Sequence, residues 1–392
     1  MKFIDFTVKN HFNGPVGTII CRLYLLLSLL LFLLLFLLLF VVSVPAIAIE
    51  VEGLYQGSVP VSSRDDERER NRAFNEAFRQ VLLKVTGNPD IFTQPQIRQA
   101  INNTDEYVDT WSYATLPATS PDDSTATEQA SGEELNVTFF EPEVLRLLDS
   151  TEISLWPDNR PYTLIWLVIQ DELGQRELLS SNIQEYEDIL ALLKTEADIR
   201  GLPILLPVLD IEDMRAVSAD DVWDMNGEKL IQASFRYQSE SVLVVRMFRA
   251  LGGEVLGQSN YLFRDQVLSL ESFEEPAENF LKSSISMAAN ELSAYYAVLL
   301  SGTDSGIKVN LTVEGIHNAE DYAGLLNYVG GLTNVNAFQI ASVDNETIEL
   351  VLSTGGQLRQ LVETIALNRY LLPVSELVRE NNQVYMSYQW NQ

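Results

Sequence analysis

"YTLIWLVIQ" (162–170), "LPILLPVLD" (202–210) and "SVLVVRMF" (241–248) are three nearly continuous apolar runs. A strand with one wet face alternates apolar and polar residues, whereas a strand covered on both faces does not. These runs therefore predict a sheet sandwiched between helices. Helical stretches lie between them, at 183–199 and 219–237. A further helix over 276–300 places Leu281, Ile285, Ala288, Leu292, Tyr295 and Leu299 on one stripe, with Pro276 suited to its first turn. Residues 161–302 read as a central α/β domain.

On the N-terminal side of these runs, 49–160 reads as an N-terminal α+β domain. "VEGLYQGSVPV" (51–61) alternates like a strand. Ser62 and Ser63 are cap residues for a helix whose first turn holds Asp65, Asp66 and Glu67, matched to the positive helix end. Ala73, Phe74, Ala77, Phe78, Val81, Leu82 and Val85 form its apolar stripe. Thr86-Gly87-Asn88-Pro89 ends it, with Lys84 in the last turn as a structural cation. A second helix spans about 94–103. The polar, aperiodic segment 115–134 reads as a mobile loop, followed by a strand at 134–140 and a short helix at 142–150. On the other side, "GTDSG" (302–306) is a linker. Residues 307–392 follow the strand–helix–strand–strand–helix–strand order of a ferredoxin-like domain. The expected class is multidomain, α+β with α/β.

Residues 1–48 differ from the rest. Lys2, Lys9 and Arg22 precede an uncharged apolar run, 23–44, and then Ala46 and Ala48 stand in the A-x-A arrangement of a signal-peptidase site. This predicts an exported chain, periplasmic if the leader is removed. The run is also long enough to anchor the chain in the inner membrane if it is left uncleaved. Membrane contact is expected through 23–44 alone.

Composition narrows the function. The 392 residues hold 26 Lys and Arg against 55 Asp and Glu, a net charge of -29. Without residues 1–48 the balance is 23 against 54, a net of -31. Phosphate backbones need clustered cations, so no nucleic-acid partner is expected. The sole cysteine is Cys21, and the sole histidine beyond the leader is His317. A thiolate or multi-histidine metal site and a cysteine nucleophile are excluded for the exported part, and no cofactor is expected. No G-x-S-x-G elbow supports a serine triad, and "LGGEVLGQ" (251–258) reads as a hairpin turn rather than a nucleotide loop. Trp156, Arg160 and Trp166 fall at the junction of the first two domains, where packing is the plainer reading than sugar binding.

One group of residues has the chemistry of a site. Asp210, Glu212 and Asp213 follow the central apolar run, and Asp220 and Asp221 come shortly after. Ligands of open α/β sheets sit at the carboxyl ends of strands. Paired carboxylates suit acid/base hydrolysis of a glycan, with or without a divalent cation. The plainer reading is that these acids cap helices: Ser218 with Asp220 and Asp221 is an N-terminal signature.

"LYQGSVPV", "AFNEAFRQVLLKVTGN", "NRPYTLIWLVIQ", "RGLPILLPVLDIED", "VSADDVWD" and "RYQSESVLVVRM" occur in this order. In them the chain resembles an exported proteobacterial family known as domain-of-unknown-function family twenty-sixty-six, over most of 50–300. The resemblance implies an envelope protein and supplies neither an activity nor catalytic residues. More weakly, the middle domain is similar to the α/β modules of envelope lipoproteins that recruit partners. The expectation is a non-enzymatic scaffold that binds another envelope protein. The alternatives are a carboxylate hydrolase built on the five acids, and a small-ligand carrier with an apolar pocket between the first two domains.

Overall fold

The computed structural model describes residues 49–115, 133–181, 186–249, 254–300, 307–354, 358–380 and 383–391. The leader, its cleavage residues Ala46 and Ala48, the apolar run 23–44 and most of the expected loop at 115–134 lie outside them. Among the described residues no helix is long and apolar enough to cross a membrane. The chain is mixed α+β, with several sheets inside one compact unit, Ile47–Gln392.

The first part holds β1 (Ile49–Glu50), β2 (Gln56–Val61), α1 (Glu67–Thr86), α2 (Pro95–Asn102), β3 (Val108–Thr115), β4 (Glu133–Phe139), α3 (Glu141–Ser150) and β5 (Asn159–Arg160). The expected strand at 51–61 is split, because the chain turns at Gly53 (φ 70°) between β1 and β2. Helix α1 lies on the three-stranded sheet β2-β4-β3 and buries its predicted stripe against Leu135, Val137 and Phe139. Each large side chain of that stripe, such as Phe78, Val81 or Leu82, contributes about 1.5–3 kcal/mol by its burial. The cap differs from expectation. Asp66 accepts from the N–H groups of Arg68 and Glu69, while Ser62 and Ser63 donate to the Glu69 carboxylate. Gly87, at φ 66°, ends the helix as expected. A Cβ there would lie 2.1 Å from Ser293 Cβ, so the close approach of α1 to a later helix also requires glycine.

The central part holds β6 (Thr163–Gln170), β7 (Arg176–Leu178), α4 (Glu187–Arg200), β8 (Ile204–Leu205), α5 (Ile211–Ala216), α6 (Ala219–Trp223), α7 (Gly227–Ser234), β9 (Ser241–Arg249), β10 (Glu254–Phe263), β11 (Gln266–Pro276) and α8 (Ala277–Tyr296). Strands run in the order β11-β10-β9-β6-β7, with β8 also on β6. Among the described residues only β8, β6 and β9 of this sheet are parallel, and β9-β10-β11 is an antiparallel meander. Ile165, Leu167, Leu243 and Val245 face α4 and α8, whereas Leu164, Trp166, Val242 and Val244 face α6 and α7. The continuous apolar runs are thus explained by burial on both faces. Three expectations change. "LPILLPVLD" yields a two-residue strand, because Pro203 and Pro207 cannot donate to a ladder. The helix expected over 219–237 breaks at Met225 (φ 54°), and Asn226 caps the next piece. Helix α8 stops at Tyr296, leaving Leu299 exposed.

The last part holds β12 (Ile307–Glu314), α9 (Ala319–Gly331), β13 (Val335–Asp344), β14 (Thr347–Thr354), α10 (Leu358–Asn368), β15 (Leu371–Pro373), β16 (Val378–Glu380) and β17 (Gln383–Trp390). The order β13-β14-β12-β17 places the strands as a ferredoxin-like sheet would, yet β17 runs parallel to β12. The cause is an added strand pair. Both β15 and β16 pair antiparallel with β17, so the chain reverses once more before entering beside β12. Helix α10 joins this part to the rest. Glu363 accepts from Tyr295 Oη at 2.8 Å and from Arg264 Nη2 at 2.5 Å, and Gln360 donates to Ala297 O at 2.6 Å.

Candidate functional site

The five acids lie on or beside α5 and α6, and each has a structural partner. Asp210 caps α5, accepting from the N–H groups of Glu212 and Asp213, both at 3.0 Å. Its other contact is the Arg236 fork, at 2.7 and 2.9 Å. Hydrogen bonds from Arg236 first, then from the Asp213 N–H, hold its carboxyl well below the usual range. Asp213 is 1% exposed. It accepts from Arg236 Nη1 at 2.6 Å, from the Leu209 N–H at 2.9 Å and from Tyr237 Oη at 2.5 Å. Burial, then this hydrogen bond, pushes the Tyr237 phenol up to about 12. Glu212 is exposed and 3.7 Å from Arg236.

Asp221 forms the capping box of α6 with Ser218 and also pairs with Lys229 at 2.7 Å. The Lys229 and Ser218 hydrogen bonds pull its pKa down to about 2. Asp220 pairs with Arg176 at 2.7 Å, and that guanidinium lies over the Trp223 ring. The capping reading of Ser218 is therefore the observed one, and the clustered acids meet arginine and lysine rather than one another. A glycosidase acid needs a carboxyl held protonated, in an apolar setting. Asp210 and Asp221 are shifted the opposite way. Among the described residues no group of three or more His, Cys, Asp or Glu could hold a metal.

What the carboxylates hold is a turn. Leu209 sits at φ 56°, a conformation rare for a bulky residue, and its N–H is bound by the buried Asp213. Val208 N–H in turn donates to Tyr237 Oη at 2.9 Å. This knot displays apolar side chains outward. Val208, Ile211, Met214 and Phe235 are 53–65% exposed. Beside them Asp210, Ile211, Glu212 and Arg215 line an open depression of about 490 Å³. Sequence reasoning singled out the acids and missed this patch. Its only signal was that Ile211, Met214 and Phe235 belong to no core stripe.

The other singled-out residues are structural. Trp156 and Arg160 fill the junction between the first sheet and the central one. Arg160 donates to the carbonyls of Pro157, Gly201, Lys84 and Trp156 at 2.5–2.9 Å and stacks over the Trp156 ring at 3.8 Å. Arg200 adds a bond to Gly87 O. Trp166 is not at the junction; it lies in the opposite core, donating to Ser234 Oγ at 3.0 Å. Lys84 Nζ donates to Gln56 O at 2.9 Å, and burial lowers its pKa. The desolvation that the sequence did not suggest is present, and the amine is tied to the backbone. His317 pairs with Glu346 on the surface.

A domain family described only as a domain of unknown function (DUF8605) matches residues 48–157. An uncharacterised domain is therefore present, and it bears a different number from the family named above. No curated protein matches this chain. Among solved structures, a competence or damage-inducible protein from Enterobacter asburiae shares 11% identity, over 35% of this chain and 87% of its own, with a TM-score of 0.19. A single-substitution variant of the Kluyveromyces lactis allophanate hydrolase shares 10% identity, over 59% of this chain and 55% of its own, with a TM-score of 0.16. Likenesses this slight carry no argument about fold or activity.

Proposed function

We propose that the protein is an exported, non-enzymatic envelope component of a Gram-negative bacterium, and that it binds another protein through Val208, Ile211, Met214 and Phe235. One observation carries the binding reading. A buried carboxylate and a bridging arginine hold a strained leucine turn, and the two segments they tie together expose four large apolar groups. Exposed apolar clusters of this kind mark interaction sites. Strain persists where the surroundings over-determine it, and it concentrates at functional segments. The export part of the reading rests on the basic, apolar and small-residue order of 1–48, and the bacterial part on the resemblance to the exported family. The hydrolase alternative loses its support because the candidate carboxylates already have cationic or backbone partners.

The two readings separate in cells that rely on substituted full-length chains. Ile211→Ser with Met214→Ser removes the apolar surface at exposed positions, whereas Asp220→Asn with Asp221→Asn removes the two candidate carboxylates outside the Asp213 knot. Binding predicts loss of function from the first pair and retention with the second, at equal abundance. The reverse pattern would favour hydrolysis.

A further inference from the structure

We infer that the segment docking on this patch is a cationic amphipathic helix; the inference rests on the binding reading above and names its partner's chemistry. Charge supplies the first argument. Residues 208–238 carry seven carboxylates against Arg215, Lys229 and Arg236, and Arg176 reaches Asp220, which leaves an excess of three carboxylates here in a chain of net charge -29. Asp213 is buried and Asp210 is engaged by Arg236, but Glu212 stands at the lip of the depression with its side chain 74% exposed. Such a surface attracts a cationic segment over long range and repels an acidic one.

Shape supplies the second. Ile211 and Met214 are three residues apart on α5 and so share one face, with Val208 and Phe235 on the adjoining segments. A short apolar ridge beside a depression of about 490 Å³ has room for one or two large anchoring side chains. An amphipathic helix presents such anchors at i, i+3 and i+4, with lysine or arginine on its flanks to meet Glu212.

The test uses the full chain and three synthetic peptides: a lysine-flanked amphipathic helix with a phenylalanine anchor, the same helix with glutamate for lysine, and a scrambled lysine peptide without an apolar face. Affinity is measured by fluorescence anisotropy at low and high salt. The first peptide binds, more weakly as salt rises, and loses on the order of tenfold or more when the chain carries Ile211→Ser and Met214→Ser. The glutamate and scrambled peptides bind far more weakly. Equal binding of the scrambled peptide, or binding untouched by the two serine substitutions, overturns the inference. If no peptide binds while the serine pair still abolishes function in cells, the partner's chemistry is wrong and the docking surface stands. If the serine pair is harmless in cells, the docking surface itself falls.

Discussion

Asp213, 1% exposed, lies 2.6 Å from the guanidinium of Arg236, which also grips Asp210. Breaking a buried pair from one side leaves a charge without its partner. Arg236 is 30% exposed and keeps Asp210, which moderates the cost. Asp213→Ala should therefore destabilise by about 3 kcal/mol, at the low end for buried pairs. Asp213→Asn should cost less, because an amide oxygen still accepts from Leu209 and Tyr237. Denaturant unfolding of the two variants checks the order.

The capping box of α6 gives a pH signature. Asp221 is held at about 2 by Lys229 and Ser218, below its ordinary value of about 3.9. A depressed carboxylate contributes stability that is fully present above the unfolded value and is lost as pH falls through the folded one. The stability gap between the wild type and Asp221→Asn should be flat near neutrality. It should close between about pH 4 and pH 2. A gap that persists unchanged through that window would mean that the carboxylate's charge is not what stabilises the helix start.

Arg160 binds four carbonyls that come from both sides of the junction, and burial pulls its pKa down to about 9, so it remains charged at neutral pH. Lysine cannot reproduce that planar fork. Arg160→Lys should destabilise by about 2–3 kcal/mol, since at least two buried carbonyls lose a charged donor. Hydrogen exchange should show faster opening at Lys84 and at Gly201 together, as both segments depend on the same guanidinium.

The sheet framework was legible because its cause is local. Leu164 to Ile169 alternate between two cores, and a run without polar residues is what that burial requires. The stripe of α1 and its Gly87 stop were legible for the same reason. Three things were not. Pro203 and Pro207 cut a strand short although the run itself is apolar. The direction of β17 depends on the added pair β15 and β16, whose short segments carry little pattern of their own. The apolar patch depends on where Leu209 turns, and that is fixed by Asp213 and Tyr237, the second of them far along the chain. The acids were found by type; their roles were set by Arg236, Arg176 and Lys229, whose approach is tertiary.

The most direct measurement is photocrosslinking in living cells from an unnatural residue placed at Ile211, at Phe235, or at Leu173, which is 84% exposed on a different turn. The patch reading predicts one adduct of the same higher mass from both Ile211 and Phe235, and none from Leu173. Absence of adducts at the two patch positions, or equal capture at all three, would contradict it.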